Sequence, residues 1–166
     1  MIHFKQNIFW KQRLIKEEDY VVVLFLSNCD KTDRCEEILS DLEEIDEQLE
    51  NVGILFVYTD DESYAAKLKV TAFPTIAFFR NGERLMYEGS IENEMAVLKF
   101  ATDLNNLKVP GQIAEVGVSL LEFLMDERKD VFAFFYDEDD GRAKKILQRL
   151  EAIDDNLVKV FEINQI

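Results

Sequence analysis

Cys29 and Cys35 are the only thiols in the chain. The chemistry open to such a pair is thiol–disulfide exchange, in which one thiolate attacks a disulfide sulfur and a second thiol resolves the mixed disulfide. They stand in Cys29-Asp-Lys-Thr-Asp-Arg-Cys35, without the Cys-x-x-Cys spacing that places both sulfurs at one helix start. Cys35 falls in the first turn of a predicted helix, which favours a thiolate, whereas Asp30, Asp33, Glu36 and Glu37 disfavour it electrostatically. Three readings stay open on these residues: inert or merely disulfide-bonded cysteines, a redox-sensing pair, and a catalytic pair.

The carboxylates offer a second chemistry. Eight acidic residues and no basic one lie between Glu36 and Glu50, and Asp60-Asp61-Glu62 and Asp137-Glu138-Asp139-Asp140 form dense clusters. Carboxylate oxygens suit calcium, but no cluster has the Asp-x-Asp-x-Asp-Gly spacing of a closed calcium loop. Binding through Asp60, Asp61, Glu62, Asp137, Asp139 and Asp140 is therefore expected to be weak, on the order of 10⁻⁴–10⁻³ M. A solvated face is the plainer use of such charge, and no other cofactor is expected. His3, the lone histidine, has no companion ligand nearby and is given no role. The net charge of −15 argues against nucleic acid as a partner, since phosphate binding is driven by Lys and Arg. It favours cations or basic proteins instead. No run approaches the roughly 18 apolar residues of a membrane span.

The elements that must position these residues centre on Val70–Phe79. Pro74 can begin a strand but cannot sit inside a paired one, because it has no N–H. Ile76-Ala-Phe-Phe79 follows as an apolar run buried on both faces, Asn81-Gly82 is a strong hairpin signal, and Arg84–Glu88 is the returning strand, closed by Gly89. Upstream, Asn7–Lys16 predicts a short amphipathic helix with Trp10 as a packing residue. Tyr20–Leu26 is apolar and β-branched enough for a central strand. Cys35–Glu50 has the spacing of an amphipathic helix, with Asp33 and Glu36 as a capping box. Gly53–Thr59 is the next strand, Asp60-Asp61-Glu62 a turn, Ser63–Lys69 a short helix and Glu92–Leu104 the closing helix. The order, βαβαβαββα, predicts an α/β fold.

A short helix, a proline, a buried strand, an Asn-Gly turn and an edge strand resemble the second half of a thioredoxin fold, and the whole order of elements resembles that family. Its specific local motif here is Phe73-Pro74-Thr75. The resemblance implies a cis Phe73–Pro74 bond and a ledge at Phe73, Pro74 and Thr75 that holds extended peptide. It also implies that Cys35 takes the family's resolving position and that Thr32 stands where the nucleophilic cysteine belongs. Lys31 replaces the aromatic residue before it, and Val23 or Leu24 replaces the buried carboxylate of the central strand. Cys29 then lies in a two-residue insertion. Thioredoxin-type catalysis is not expected.

The pattern restarts after Lys108-Val-Pro-Gly111, which reads as a linker. Ile113–Val116 and Val131–Tyr136 are expected as strands, and Val118–Met125 as a helix. Set without a gap beside Lys144–Asp154, Glu36–Asp46 is identical at six of eleven positions, namely Ile38, Leu39, Leu42, Glu43, Ile45 and Asp46, with an offset of 108 residues. That offset is the length of one such domain, so we read a tandem repeat. Residues 1–108 form a complete thioredoxin-like domain, and 109–166 form the N-terminal half of a second one, in which Asp140-Gly-Arg-Ala143 carries no cysteine. The second unit has no counterpart of Pro74, the Asn-Gly hairpin or the closing helix. Further thioredoxin-like repeats or a self-partner are expected to complete it.

Tandem thioredoxin-like repeats with an acidic surface and no Cys-x-x-Cys resemble calsequestrin and the non-catalytic domains of protein disulfide isomerases. This implies a redox-inactive module for protein binding or scaffolding, contacting protein or extended peptide in the endoplasmic reticulum or secretory lumen. The alternatives are a thiol–disulfide oxidoreductase or redox sensor using Cys29 and Cys35, and low-affinity calcium binding by the acidic surface. The start, Met1-Ile-His-Phe-Lys5, has no apolar core of signal-peptide length. That leaves a cytoplasmic location or a targeting segment outside this sequence.

Overall fold

The apolar run at Tyr20 forms the middle strand of a mixed sheet in the computed structural model, which describes residues 2–3, 14–27, 34–109, 112–127, 131–137 and 139–163. Tyr20–Phe25 (β2) is buried at every position, as only a strand covered on both faces can be. It pairs in parallel with Leu55–Thr59 (β3) and antiparallel with Thr75–Arg80 (β4). Ile2–His3 (β1) lies parallel to β3 and Glu83–Met86 (β5) antiparallel to β4, which gives the order β1-β3-β2-β4-β5. Residues 14–17 form a helical turn (α1). The helices after it are Arg34–Asn51 (α2), Glu62–Lys67 (α3), Glu94–Thr102 (α4), Leu104–Leu107 (α5), Val118–Glu127 (α6) and Gly141–Ile163 (α7).

Alternation along β2 divides the core into two layers. On one face Val22 and Leu24 pack with Ile38, Leu42, Ile45 and Leu49 of α2, Ile76 and Phe78 of β4, and Val97 and Ala101 of α4. On the other, Val21, Val23 and Phe25 pack with Ile15, Tyr64, Ala65, Ala77 and Phe79. The stripe of α2 recurs every three or four residues, so one helix face is apolar and the acids are left to solvent.

The local signals place the remaining boundaries. Asn81 and Gly82 both take positive φ, 46° and 77°, as a two-residue type I′ hairpin requires. The Phe73–Pro74 bond is cis, as expected. Asp61 caps α3 by accepting a hydrogen bond from the Tyr64 backbone N–H at 3.0 Å, so that helix begins at Glu62. The closing helix is divided at Asp103, whose carboxylate accepts from the Asn105 N–H at 2.8 Å and starts α5.

Several expectations differ from the structure. β1 has two residues, too few for a periodic signal. The expected helix over 7–16 is described only from residue 14, where it runs to residue 17; Trp10 lies outside the described residues, as does Asp33 of the expected capping box. Ile113–Val116 and Val131–Tyr136, expected as strands, form none. A strand exists through its ladder, and neither segment has a neighbour in the five-stranded sheet. α6 forms where a helix was expected, and its Leu120 and Leu124 enter the first core layer together with Val116 and Phe123. Among the described residues no helix is long and apolar enough to cross a membrane.

Candidate functional site

Strand register brings the cysteine end of α2 to the proline. Thr75 pairs with Phe25, so Pro74 lies beside Leu26 at the end of β2, and α2 starts over the same end. Leu26, Ser27, Arg34, Cys35, Ile38, Phe73 and Pro74 line a cleft of about 100 Å³ there. Of the three expected ledge residues, Phe73 and Pro74 line the cleft, while Thr75 is the first residue of β4.

Cys35 is buried and disulfide-bonded. Cys29, the only other cysteine in the sequence, lies outside the described residues, as do Lys31 and Thr32. Two polar side chains border the cleft. The Ser27 hydroxyl donates to Glu62 Oε1 at 2.8 Å and so ties the rim to α3. Arg34, exposed at the start of α2, lies 3.7 Å from Glu92 Oε1. Neither residue carried a signal in the sequence, because a serine and an arginine at element ends look like ordinary surface until the register is known.

The acidic clusters have local partners, and one of them, through Glu62, reaches the cleft rim at Ser27. Asp61 accepts from Tyr64 N–H and, at 2.6 Å, from the Ser63 hydroxyl, while Glu62 accepts from Ser27. Asp137 accepts from the Asp139 N–H at 3.0 Å, and Asp140 accepts from the Arg142 N–H at 2.9 Å. Asp60 and Glu43 raise the pKa of Tyr58, after the larger effect of its burial. Among the described residues no group of three or more His, Cys, Asp or Glu side chains is placed to hold a metal ion.

A second polar group occupies the opposite end of the sheet. Tyr20 donates its hydroxyl hydrogen bond to the Glu115 carbonyl at 2.8 Å, and Arg80 Nη1 donates to the Asn106 carbonyl. Burial pushes the Tyr20 hydroxyl up to about 12, with Asp19 and Glu115 adding to the rise and Arg80 opposing it. Sequence reasoning gave Arg80 no role; it is buried at the end of β4.

The cleft therefore has apolar walls, one cation and one hydroxyl at its rim, and a sulfur engaged in a disulfide. Such a site can seat and orient a side chain; with Cys35 oxidised it holds no thiolate to attack one.

The thioredoxin family model matches residues 1–102. The first thioredoxin domain of mouse protein disulfide-isomerase A4 is similar at a TM-score of 0.53 and 18% identity, over 68% of this chain and 83% of that one. Oxidised mitochondrial thioredoxin 3 from Saccharomyces cerevisiae is similar at 0.51 and 23% identity, over 63% of this chain and 95% of that one. For the J-Trx1 fragment of ERdj5 the values are 0.49 and 17%, over 60% of this chain, which spans 49% of that fragment. No curated protein matches the chain.

Proposed function

The chain belongs to the thioredoxin family, and on that premise we propose that it is a redox-inactive binding module that holds extended polypeptide in the cleft between α2 and Phe73–Pro74. The dimensions and walls of that cleft carry the reading. About 100 Å³ is well below the ~300–1,000 Å³ of small-molecule sites, and it suits one side chain of a polypeptide lying across the sheet end. The family resemblance puts Thr32 at the nucleophile position, and Cys35 is already oxidised. A disulfide at Cys35 suits an oxidising compartment such as the endoplasmic reticulum or secretory lumen.

Two measurements test this together. In an insulin-reduction assay with dithiothreitol the protein should not exceed background. In an amide chemical-shift titration with an unfolded, thiol-blocked polypeptide, shifts should concentrate on Leu26, Arg34, Ile38 and Phe73. Catalysis that Cys29→Ser abolishes, or shifts confined to other surfaces, would overturn the proposal.

A second reading rests on the same sulfur. Because Cys35 is both disulfide-bonded and part of the cleft wall, its reduction would change the surface offered to a peptide, and the module would act as a redox sensor. Polypeptide affinity measured with and without dithiothreitol separates the two, since only the sensor changes affinity on reduction.

A further inference from the structure

On the reading that the cleft holds polypeptide, we propose that its ligand is a basic one: an apolar residue seats in the cleft, and lysine or arginine residues on either side of it meet carboxylates at the rim. Leu26, Ile38, Phe73 and Pro74 supply the walls. An apolar side chain fits them without the desolvation cost that a charged one would meet.

Charge at the rim decides what can stand beside that residue. One cation lines the cleft, Arg34, and Glu92 lies 3.7 Å from it and matches its charge. Glu62 accepts from the Ser27 hydroxyl at 2.8 Å, and a bond from a neutral hydroxyl leaves the carboxylate its full charge. Glu36 and Glu37 follow Cys35 in the first turn of α2, and all four glutamates are exposed. Among the described residues the rim thus carries these four carboxylates against one guanidinium. Lys67 and Lys69, at the far end of α3, do not offset them. The Leu68 carbonyl between them accepts from Arg84, which pairs with Phe79 toward the other end of β4. The carboxylates also stand on both sides of the cleft, because α3 packs in the layer of Tyr64 and Ala65 whereas α2 and α4 pack in the opposite layer. A chain crossing the sheet end therefore passes Glu62 on one side and Glu36, Glu37 and Glu92 on the other, which favours basic residues both before and after the seated one. The net charge of −15 acts in the same direction at longer range, steering a basic chain toward the protein and repelling an acidic one.

Fluorescence anisotropy on the full chain with synthetic, cysteine-free peptides tests the proposal. One peptide carries lysines on both sides of a central leucine, a second carries glutamates there, and a third keeps the lysines but has serine in place of the leucine. At low salt the first should bind about tenfold more tightly than either of the others. Its advantage over the glutamate peptide should shrink at about 1 M salt, where charges are screened beyond ~3 Å. Amide shifts caused by the first peptide should fall on Leu26, Arg34, Ile38 and Phe73. Glu36→Gln with Glu37→Gln and, separately, Glu62→Gln with Glu92→Gln should each narrow the gap between the lysine and glutamate peptides; a glutamine at position 62 can still accept from Ser27. Lysine and glutamate peptides that bind alike, both shifting the cleft residues, would overturn the basic preference and leave the cleft a general polypeptide site. Peptides that shift none of those residues would overturn both readings. A lysine peptide that binds as well without its leucine, or a preference that survives both pairs of substitutions, would assign the attraction to the surface at large and overturn the proposal.

Discussion

α2 and α7 carry the same apolar stripe and bury it to different degrees. Ile38 and Ile45 of α2 are 6% and 1% exposed, whereas Ile146 and Ile153, their counterparts at an offset of 108 residues, are 44% and 46% exposed; between them Leu42 is fully buried and its counterpart Leu150 is half-buried. The amino acids are identical, so the difference lies in what faces them. α2 lies on a sheet face built by Val22, Leu24, Ile76 and Phe78; the extended segment before α7 is bonded into no sheet. An apolar stripe specifies that a partner is needed, and strands from elsewhere in the chain, or from another copy, decide whether there is one.

The largest effect that could break this comparison is a truncation made once in each helix. Ile45→Ala removes a fully buried side chain and should cost about 2–4 kcal/mol. Ile153→Ala should cost less than about 1 kcal/mol, since nearly half of that side chain is already in water. Urea unfolding at concentrations where the protein is monomeric measures both. Equal costs would mean that α7 has a cover that its exposure does not reveal.

The same contrast explains what could be read from the sequence. β2, β4 and the Asn81-Gly82 hairpin follow from residues next to one another, the cis bond at Pro74 was implied by the family resemblance, and β1, two residues long, was not legible. Val131–Tyr136 has a strand's composition yet forms none, because ladder pairing is non-local and composition does not supply the neighbour. The cleft was legible at Phe73, Pro74 and Cys35, which carry the family's pattern. It was not legible at Leu26, Ser27, Arg34 and Ile38, which reach it only through the register of β2 with β4. Arg80 was missed because its position after an apolar run and before Asn81-Gly82 looks solvent-facing, while α5 covers it through Asn106.

The next effect concerns the first turn of each helix. Cys35 corresponds to Ala143, both buried, but only the cysteine is cross-linked. The other cysteine lies six residues earlier, and closing so short a loop stabilises by about 2 kcal/mol in the chain-entropy view. Cys35→Ala, which puts at this position of α2 the residue that α7 carries, should therefore lower the unfolding free energy read from the urea transition by that amount and make the midpoint insensitive to dithiothreitol. A midpoint that still falls on reduction would show that the disulfide is not what dithiothreitol acts on.

A smaller effect follows from pH and acts on the sheet domain. Burial raises both Tyr20 and Tyr64 to about 12, with Asp19 and Asp61 adding to the rise. For each the folded pKa lies above the unfolded value near 10, so its contribution is fully present below pH 10 and is lost as pH rises from 10 through 12. Spectrophotometric titration should show two of the five tyrosines ionising last, together with loss of the sheet's circular dichroism. Tyr20→Phe should remove one of these late steps and, with it, the hydrogen bond to Glu115, at a cost of about 1 kcal/mol. Tyrosines that all ionise near pH 10 while the fold persists would contradict the burial of β2.

The smallest expected effect separates charge from apolar contact as the source of the contrast. The two helices begin alike: Arg34 and Arg142 stand at the same offset, and each meets an acid, Arg34 with Glu92 at 3.7 Å and Arg142 with Asp140 at 3.3 Å. All four side chains are exposed, so water and salt screen both pairs. Arg34→Ala and Arg142→Ala should each leave the unfolding midpoint within the scatter of measurement. Asp140 gives a finer test. Its carboxyl is held below the ordinary aspartate range first by the backbone N–H of residue 142 and only then by the arginine side chain. Its contribution is present above the ordinary aspartate pKa and is lost as pH falls through the lowered value. Because Arg142→Ala keeps the backbone N–H, the carboxyl should remain depressed in that variant, read by carboxyl NMR across the acid range. A return of Asp140 to the ordinary value, or a destabilisation by Arg142→Ala as large as that of Ile45→Ala, would mean that α7 is held by its charges, and the contrast with α2 could no longer be assigned to the missing sheet.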